Sequence, residues 1–170
     1  LAGLGAIGQT VIDENVKTRD HSEIILKELG APVSSNGTIS INPLSRPLQP
    51  FEINVPGDPS SAAFFAAAAA LIPNSSITIK NVLANPTRIG FFQVLKKMGG
   101  GVEWQNMRKE CGESVGDVHV FWKPLNGIDI TSELVPSVID ELPIIAVLAT
   151  QADGPTTVSG AEELRVKECD

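Results

Sequence analysis

Apolar positions along the chain fall into a few distinct patterns. From Ala62 to Leu71 every residue is Ala, Phe or Leu, so the segment has no polar face and reads as a helix buried on all sides. Its start is marked in the sequence: Asp58 suits an N-cap, Pro59 the first helical position, and Ser60 and Ser61 continue the polar entry. "ILKELGAPV" (Ile25 to Val33) and "VLKKMGGGV" (Val94 to Val102) are amphipathic helix ends stopped by glycine and followed by a strand. "GTISIN" (Gly37 to Asn42) and "DVHVFW" (Asp117 to Trp122) alternate as half-buried strands do. "QNMRKECGESVG" (Gln105 to Gly116) is polar and aperiodic, and reads as an exposed hairpin loop.

Three stretches resemble one another: "GAIGQTVIDENV", "LIPNSSITIKNV" and "QADGPTTVSGAE". Each follows a small-residue apolar helix, turns on Gly or Asn, and enters a strand rich in Thr, Val or Ile. Gly8, Asn74 and Gly154 align at the turn, and Asn15-Val16 then falls on Asn81-Val82. The unit reads as helix, strand, basic loop, helix, strand, strand. This is an α/β (α+β) pattern of repeated βαβαββ units, with parallel strands joined through helices. Pro43, Pro47, Pro50, Pro56 and Pro59 gather between the first two units. The expected organisation is residues 1–54 at the end of one globule, 55–60 as a crossover, and 61–170 at the start of a second.

Composition narrows the function. At 42% hydrophobic and 19% charged, the 170 residues suit a water-exposed globular protein. A net charge of -7 gives no support to nucleic-acid or anionic-membrane binding. The longest apolar run, near Ala62 to Ile72, is too short to span a bilayer. Cys111 and Cys169 stand far apart and outside any metal-ligand spacing, so reduced cytoplasmic thiols are expected and no metal. Leu1 falls within what reads as an apolar helix and "KECD" ends without a cap, so the chain is expected to be an internal piece of a longer protein.

Charged residues recur in the loop after the first strand of each unit: "KTRDHSE" (Lys17 to Glu23), "LANPTR" (Leu83 to Arg88) and "EELRVKECD" (Glu162 to Asp170). Thr18 or Asp20, and Asn85 or Thr87, can serve as helix caps. Arg19 beside a helix N-terminus can also hold a phosphate. His21 has no second ligand spaced to help it bind metal. In "VPSVIDELPIIAVLA" (Val135 to Ala149), Asp140 and Glu141 interrupt an apolar stretch. They either complement the helix dipole or face a partner or an opening, because an unpaired carboxylate entering a core costs several kcal/mol. With Lys167 and Glu168, Asp140 reads as part of an acid–base cluster facing an anionic ligand.

"VPGDPSSAAFFAAAAAL", "NPTRIGFFQVLKKMG", "VIDELPIIAVLA" and "GAEELRVKECD", in this order, resemble the 5-enolpyruvylshikimate-3-phosphate synthase family over essentially the whole chain. "TRDHSEIILKELG" is similar to that family's S-R-D-H-T-E segment. The resemblance implies the inside-out α/β barrel fold of enolpyruvyl transferases, with two globules of three βαβαββ units each. It also implies that helix N-termini, including the one at Pro59, aim at a cleft between the globules. The implied reaction moves the enolpyruvyl group of phosphoenolpyruvate to the 5-hydroxyl of shikimate 3-phosphate and releases phosphate, with no cofactor. Asp140 matches the family's general base and a shikimate 3-phosphate ligand, and Glu168 the residue that handles the methylene proton. Lys167 matches a shikimate 3-phosphate ligand. Thr18 stands where the family has a phosphate-binding Ser, and Arg19 matches its basic neighbour. A cytoplasmic monomer is expected, with small-molecule partners only.

Two positions depart from the family pattern: Thr18 adds a methyl to the usual Ser, and Cys169 replaces Ser or Thr. The family's Lys-Ser segment, its phosphoenolpyruvate-binding arginines and its S-A-Q segment are not among these residues, so the chain alone is expected to be inactive. Two alternatives stand beside this reading. One is a UDP-N-acetylglucosamine enolpyruvyl transferase-like enzyme, which fits the motifs less well. The other is a non-catalytic repeat-built domain whose charged loops only cap helices.

Overall fold

The computed structural model describes residues 1–167, with side chains described through Val166. By their internal contacts these residues form two units. The first comprises Leu1–Val55 with Lys109–Ser114, and the second Pro56–Arg108 with the residues from Val115 onward.

In the first unit, a 3-10 turn at Ala2–Gly5 leads to β1 (Thr10–Asp13), α1 (His21–Glu28), β2 (Val33–Ser35) and β3 (Thr38–Ile41). Where the sequence predicts an apolar helix around Leu1, the described residues show a short 3-10 turn. Its glycines leave little side-chain surface to bury, and a helix interior disfavours them. The strands are ordered β1-β3-β2, and β3 is antiparallel to both neighbours. A small core of Leu4, Leu26, Ala31 and Ile41 lies within this unit.

The second unit repeats the pattern on a larger scale: α2 (Pro59–Leu71), β4 (Ser76–Leu83), α3 (Gly90–Lys97), β5 (Gly101–Glu110) and β6 (Glu113–Phe121). Its order, β4-β6-β5, matches that of the first sheet strand for strand. After these come β7 (Asp129–Ile130), α4 (Val135–Val138), a 3-10 turn at Ile139–Glu141, α5 (Leu142–Ala149), β8 (Thr157–Val158) and α6 (Leu164–Lys167). Strands β7 and β8 pair in parallel. Gly8, Asn74 and Gly154 each lie just ahead of the strands β1, β4 and β8, as the alignment predicts. Asn74 and Gly154 take positive φ, at 61° and 83°, the backbone state that lets a chain leave a helix sharply.

The expectation of parallel strands joined through helices needs one correction. In the first sheet, β1 and β2 do run parallel across α1, but β3 inserts between them and pairs antiparallel with each. Each closing strand thus becomes the central strand, which satisfies backbone groups of both neighbours at once. A second correction concerns Gln105 to Gly116. It is no loop but the far halves of β5 and β6, joined at Cys111 and Gly112 with φ of 47° and 78°. This two-residue, positive-φ turn is the kind that matches strand twist. The β5 half shows no alternation because Gln105 to Lys109 are all exposed.

Helix α2 begins as expected but is not buried on every side. Ala62, Ala63, Ala66, Ala67, Ala69 and Ala70 pack into the core of the second unit. Phe64 and Phe65 are instead 63% and 62% exposed, on a face shared with Ser61, Ala68 and Ile72. Alanine permits close approach of α5, which packs against α2. The rest of that core includes Phe91, Phe92, Leu95, Met98, Val118, Val120, Ile145 and Leu148. Phe92 meets Phe91 and Trp104 edge to face, with centroids 5.3 and 5.5 Å apart.

Candidate active site

Asp140 occupies the middle of the 3-10 turn between α4 and α5 and is half-buried. That turn packs against α2. Its next residue, Glu141, is 5% exposed, so its carboxylate needs a donor. The Ser60 hydroxyl, at the start of α2, donates to Glu141 Oε1. Arg88 Nη2 in turn donates to Ser60 Oγ at 2.9 Å and to Asp58 Oδ1 at 2.7 Å. The other Asp58 oxygen caps α2, accepting from the Ser61 amide at 2.8 Å and the Ser61 hydroxyl at 2.9 Å. Partial burial raises the Asp58 carboxyl pKa, but the Ser61 bonds and the Arg88 charge outweigh it and hold the group below its ordinary 3.8.

The chain reaches this cluster by an ordered path. Gly57 joins β4 through its amide to the Asn81 carbonyl at 2.7 Å and through its carbonyl to the Leu83 amide at 2.9 Å. A side chain at Gly57 would press on the Asn81 carbonyl, 3.3 Å from an added Cβ. Asp58 and Pro59 then open α2 at a fixed place. On the other side, Asn85 is 1% exposed, but neither it nor Thr87 is the helix cap expected, because the N-cap of α3 is Ile89 and the Asn85 side chain closes the turn ahead of it. Its Oδ1 accepts from the Thr87 amide at 2.8 Å and the Thr87 hydroxyl at 2.7 Å, closing the turn that presents Arg88.

The other sequence-predicted residues lie elsewhere. Thr18 belongs to the first unit, where its hydroxyl and amide donate to Glu14 Oε1 at 2.5 and 3.3 Å. Arg19 is exposed beside it. Asp20 stands at the N-cap of α1 without a side-chain cap bond and pairs instead with Lys17 at 3.0 Å. A cavity of about 260 Å³ adjoins this loop, lined by Glu14, Lys17, Asp20, Glu23 and Thr38 among others. His21 opens α1, with Nδ1 2.5 Å from the buried Glu113 carboxylate. No group of three metal-capable side chains occurs among the described residues. Lys167 is the last residue of α6, and its side chain lies outside the described residues. Glu168 lies outside them altogether.

Through Glu141, the structure therefore ties the Asp140 turn to two residues that motif reading did not assign to it, Ser60 and Arg88. One signal was available for Arg88. It is the only charged residue between Lys80 and Lys96, which marks it as having a specific counterpart.

No helix among the described residues is long and apolar enough to cross a membrane. Comparison with known proteins agrees along the whole chain. The family model described as EPSP synthase (3-phosphoshikimate 1-carboxyvinyltransferase) matches residues 1–170. The chain is 50% identical to a 3-phosphoshikimate 1-carboxyvinyltransferase of Sulfurihydrogenibium sp., over all of this chain and 40% of that protein. It is 48% identical to one of Geobacillus kaustophilus, over 99% of this chain and 39% of that protein. The chain thus spans about 40% of the length of such relatives. Among solved structures, an EPSP synthase from Acinetobacter baumannii superposes with a TM-score of 0.92 at 40% identity, covering 99% of this chain and 38% of that one. The enolpyruvyl transferase NikO from Streptomyces tendae, at 20% identity and a TM-score of 0.66, covers 92% of this chain and 36% of its own and shares the fold. With sequence motifs, repeated sheet order and backbone all in agreement, the chain belongs to the EPSP synthase family.

Proposed function

We propose that this chain supplies part of the site of a shikimate-pathway enolpyruvyl transferase. In this reading it acts on shikimate 3-phosphate and phosphoenolpyruvate. The observation that supports it most is the family match from end to end, with Asp140 seated in a braced turn on the second unit. Asp140 is the base that takes the proton of the 5-hydroxyl as its oxygen attacks the enolpyruvyl carbon. Glu168 handles the proton at the methylene carbon, which is gained on addition and lost when phosphate leaves. Lys167 holds shikimate 3-phosphate, and Thr18 with Arg19 holds a phosphate through hydroxyl and guanidinium donors. No cofactor takes part. Residues 1–54 and 61–170 belong to the two globules of the parent protein, a cytoplasmic monomer, with 55–60 crossing between them.

The test uses the full-length parent protein. Asp140→Ala is expected to lower kcat about 100-fold or more with smaller changes in KM, as for a lost general base. Lys167→Ala is expected to raise the KM for shikimate 3-phosphate instead. Near-normal turnover by Asp140→Ala removes Asp140 from the chemistry. Turnover with UDP-N-acetylglucosamine in place of shikimate 3-phosphate reassigns the substrate.

A further inference from the structure

The turn that carries Asp140 is short. It is a single 3-10 turn between the four-residue α4 and α5, and neither the turn nor α5 has a capping side-chain bond. Against this stands a bond from a residue distant in sequence: Ser60, at the N-terminus of α2, donates its hydroxyl proton to buried Glu141. A hydroxyl that donates to one group still accepts from another, and Arg88 fills that place at 2.9 Å. The guanidinium is itself held by Asp58 at 2.7 Å. Four side chains from three segments thus form one chain of hydrogen bonds, ending one residue from Asp140.

We infer that Glu141, Ser60 and Arg88 are positioning residues for Asp140. They fix the turn to the start of α2, so that the Asp140 carboxylate is presented in one orientation. The inference rests on the role proposed for Asp140 above. Glu141 lies inside the packing and takes no proton from substrate; what it contributes is an anchored acceptor. Arg88 both orients the Ser60 hydroxyl toward Glu141 and offsets the buried negative charge through it.

The experiment uses the full-length parent protein and three variants: Ser60→Ala, Glu141→Ala and Glu141→Gln. Glutamine keeps a carbonyl oxygen where Ser60 donates. Ser60→Ala and Glu141→Ala are expected to lower kcat about 10- to 100-fold with KM for both substrates nearly unchanged, as a slightly misplaced catalytic group would. Glu141→Gln is expected to recover most of that loss. Amide hydrogen exchange over residues 135–142 is expected to quicken about 10-fold in Ser60→Ala, with the rest of the protein unaffected. Unchanged exchange there overturns the inference, whatever the activity shows. So does a kcat within about twofold of wild type in both alanine variants, or a Glu141→Gln variant as impaired as Glu141→Ala. If the wild-type protein turns over neither substrate while exchange responds as expected, the bracing stands and the proposed reaction falls.

Discussion

Asp58 divides its carboxylate between two tasks, one oxygen capping α2 through Ser61 and the other receiving Arg88. Both favour the ionised form, which is why its pKa lies below 3.8 despite partial burial. The sign of the linkage follows. A folded-state pKa below the unfolded one gives stability that is complete above the ordinary carboxylate value and is lost as pH falls through the lowered one. Asp58→Ala is therefore expected to destabilise the chain by about 1 kcal/mol at neutral pH, the usual cost of a lost cap. The deficit should shrink once the medium falls below the ordinary carboxylate range, where wild-type Asp58 also begins to protonate. Urea unfolding of both proteins at neutral and acid pH measures it. A deficit equally large in acid would mean that the ionised carboxylate is not what stabilises the cap.

Among the elements, α3 and α4 come into tight contact at Gly90. A Cβ built there would overlap the Ser137 carbonyl oxygen and a Val138 methyl. Gly90 and Val138 are both buried, so neither side has room to yield. Gly90→Ala is expected to destabilise the second unit by roughly 1–3 kcal/mol, the range for overpacking a filled interior. Because Phe92 of α3 meets Trp104 edge to face, the same substitution should also disturb the near-ultraviolet signal of Trp104. A variant with wild-type unfolding midpoint and spectrum would show that the contact is looser than the geometry indicates. The close approach answers to no alternation in the sequence. Glycine at this place is legible only once Ser137 is brought beside it.

For the whole molecule, charge sets the expectation. The chain carries a net -7, and both proposed substrates are anions, so binding depends on local cations. The cations proposed above to hold substrate are Arg19 and Lys167. The chain also spans about 40% of its relatives' length. The 170 residues on their own are therefore expected to release no phosphate above background from shikimate 3-phosphate and phosphoenolpyruvate, since two cations offer little of the charge stabilisation that a transition state formed from two anions needs. Phosphate release by the purified chain, beside its Asp140→Ala variant, checks this. Turnover that disappears in the variant would show that these residues suffice.

Features decided within a few residues were open to the sequence by itself. Asp58, Pro59 and the alanine run foretell α2 because capping and helix entry are local. Asn74 and Gly154 mark their turns because the backbone there takes positive φ. The repeat emerges from the same local signals, and the motifs around Asp140 carry the family resemblance. Tertiary structure alone decided that β3 and β6 become central strands, since which strand fills the middle of a sheet depends on chain closure. It also decided that Phe64 and Phe65 stand exposed on a helix whose composition predicts burial all round. Ser60 and Glu141 lie 81 positions apart, and Ser60 and Arg88 lie 28 apart. No periodicity links residues at such separations; only packing the turn before α5 against the start of α2 turns a serine, an arginine and a buried glutamate into one hydrogen-bonded chain.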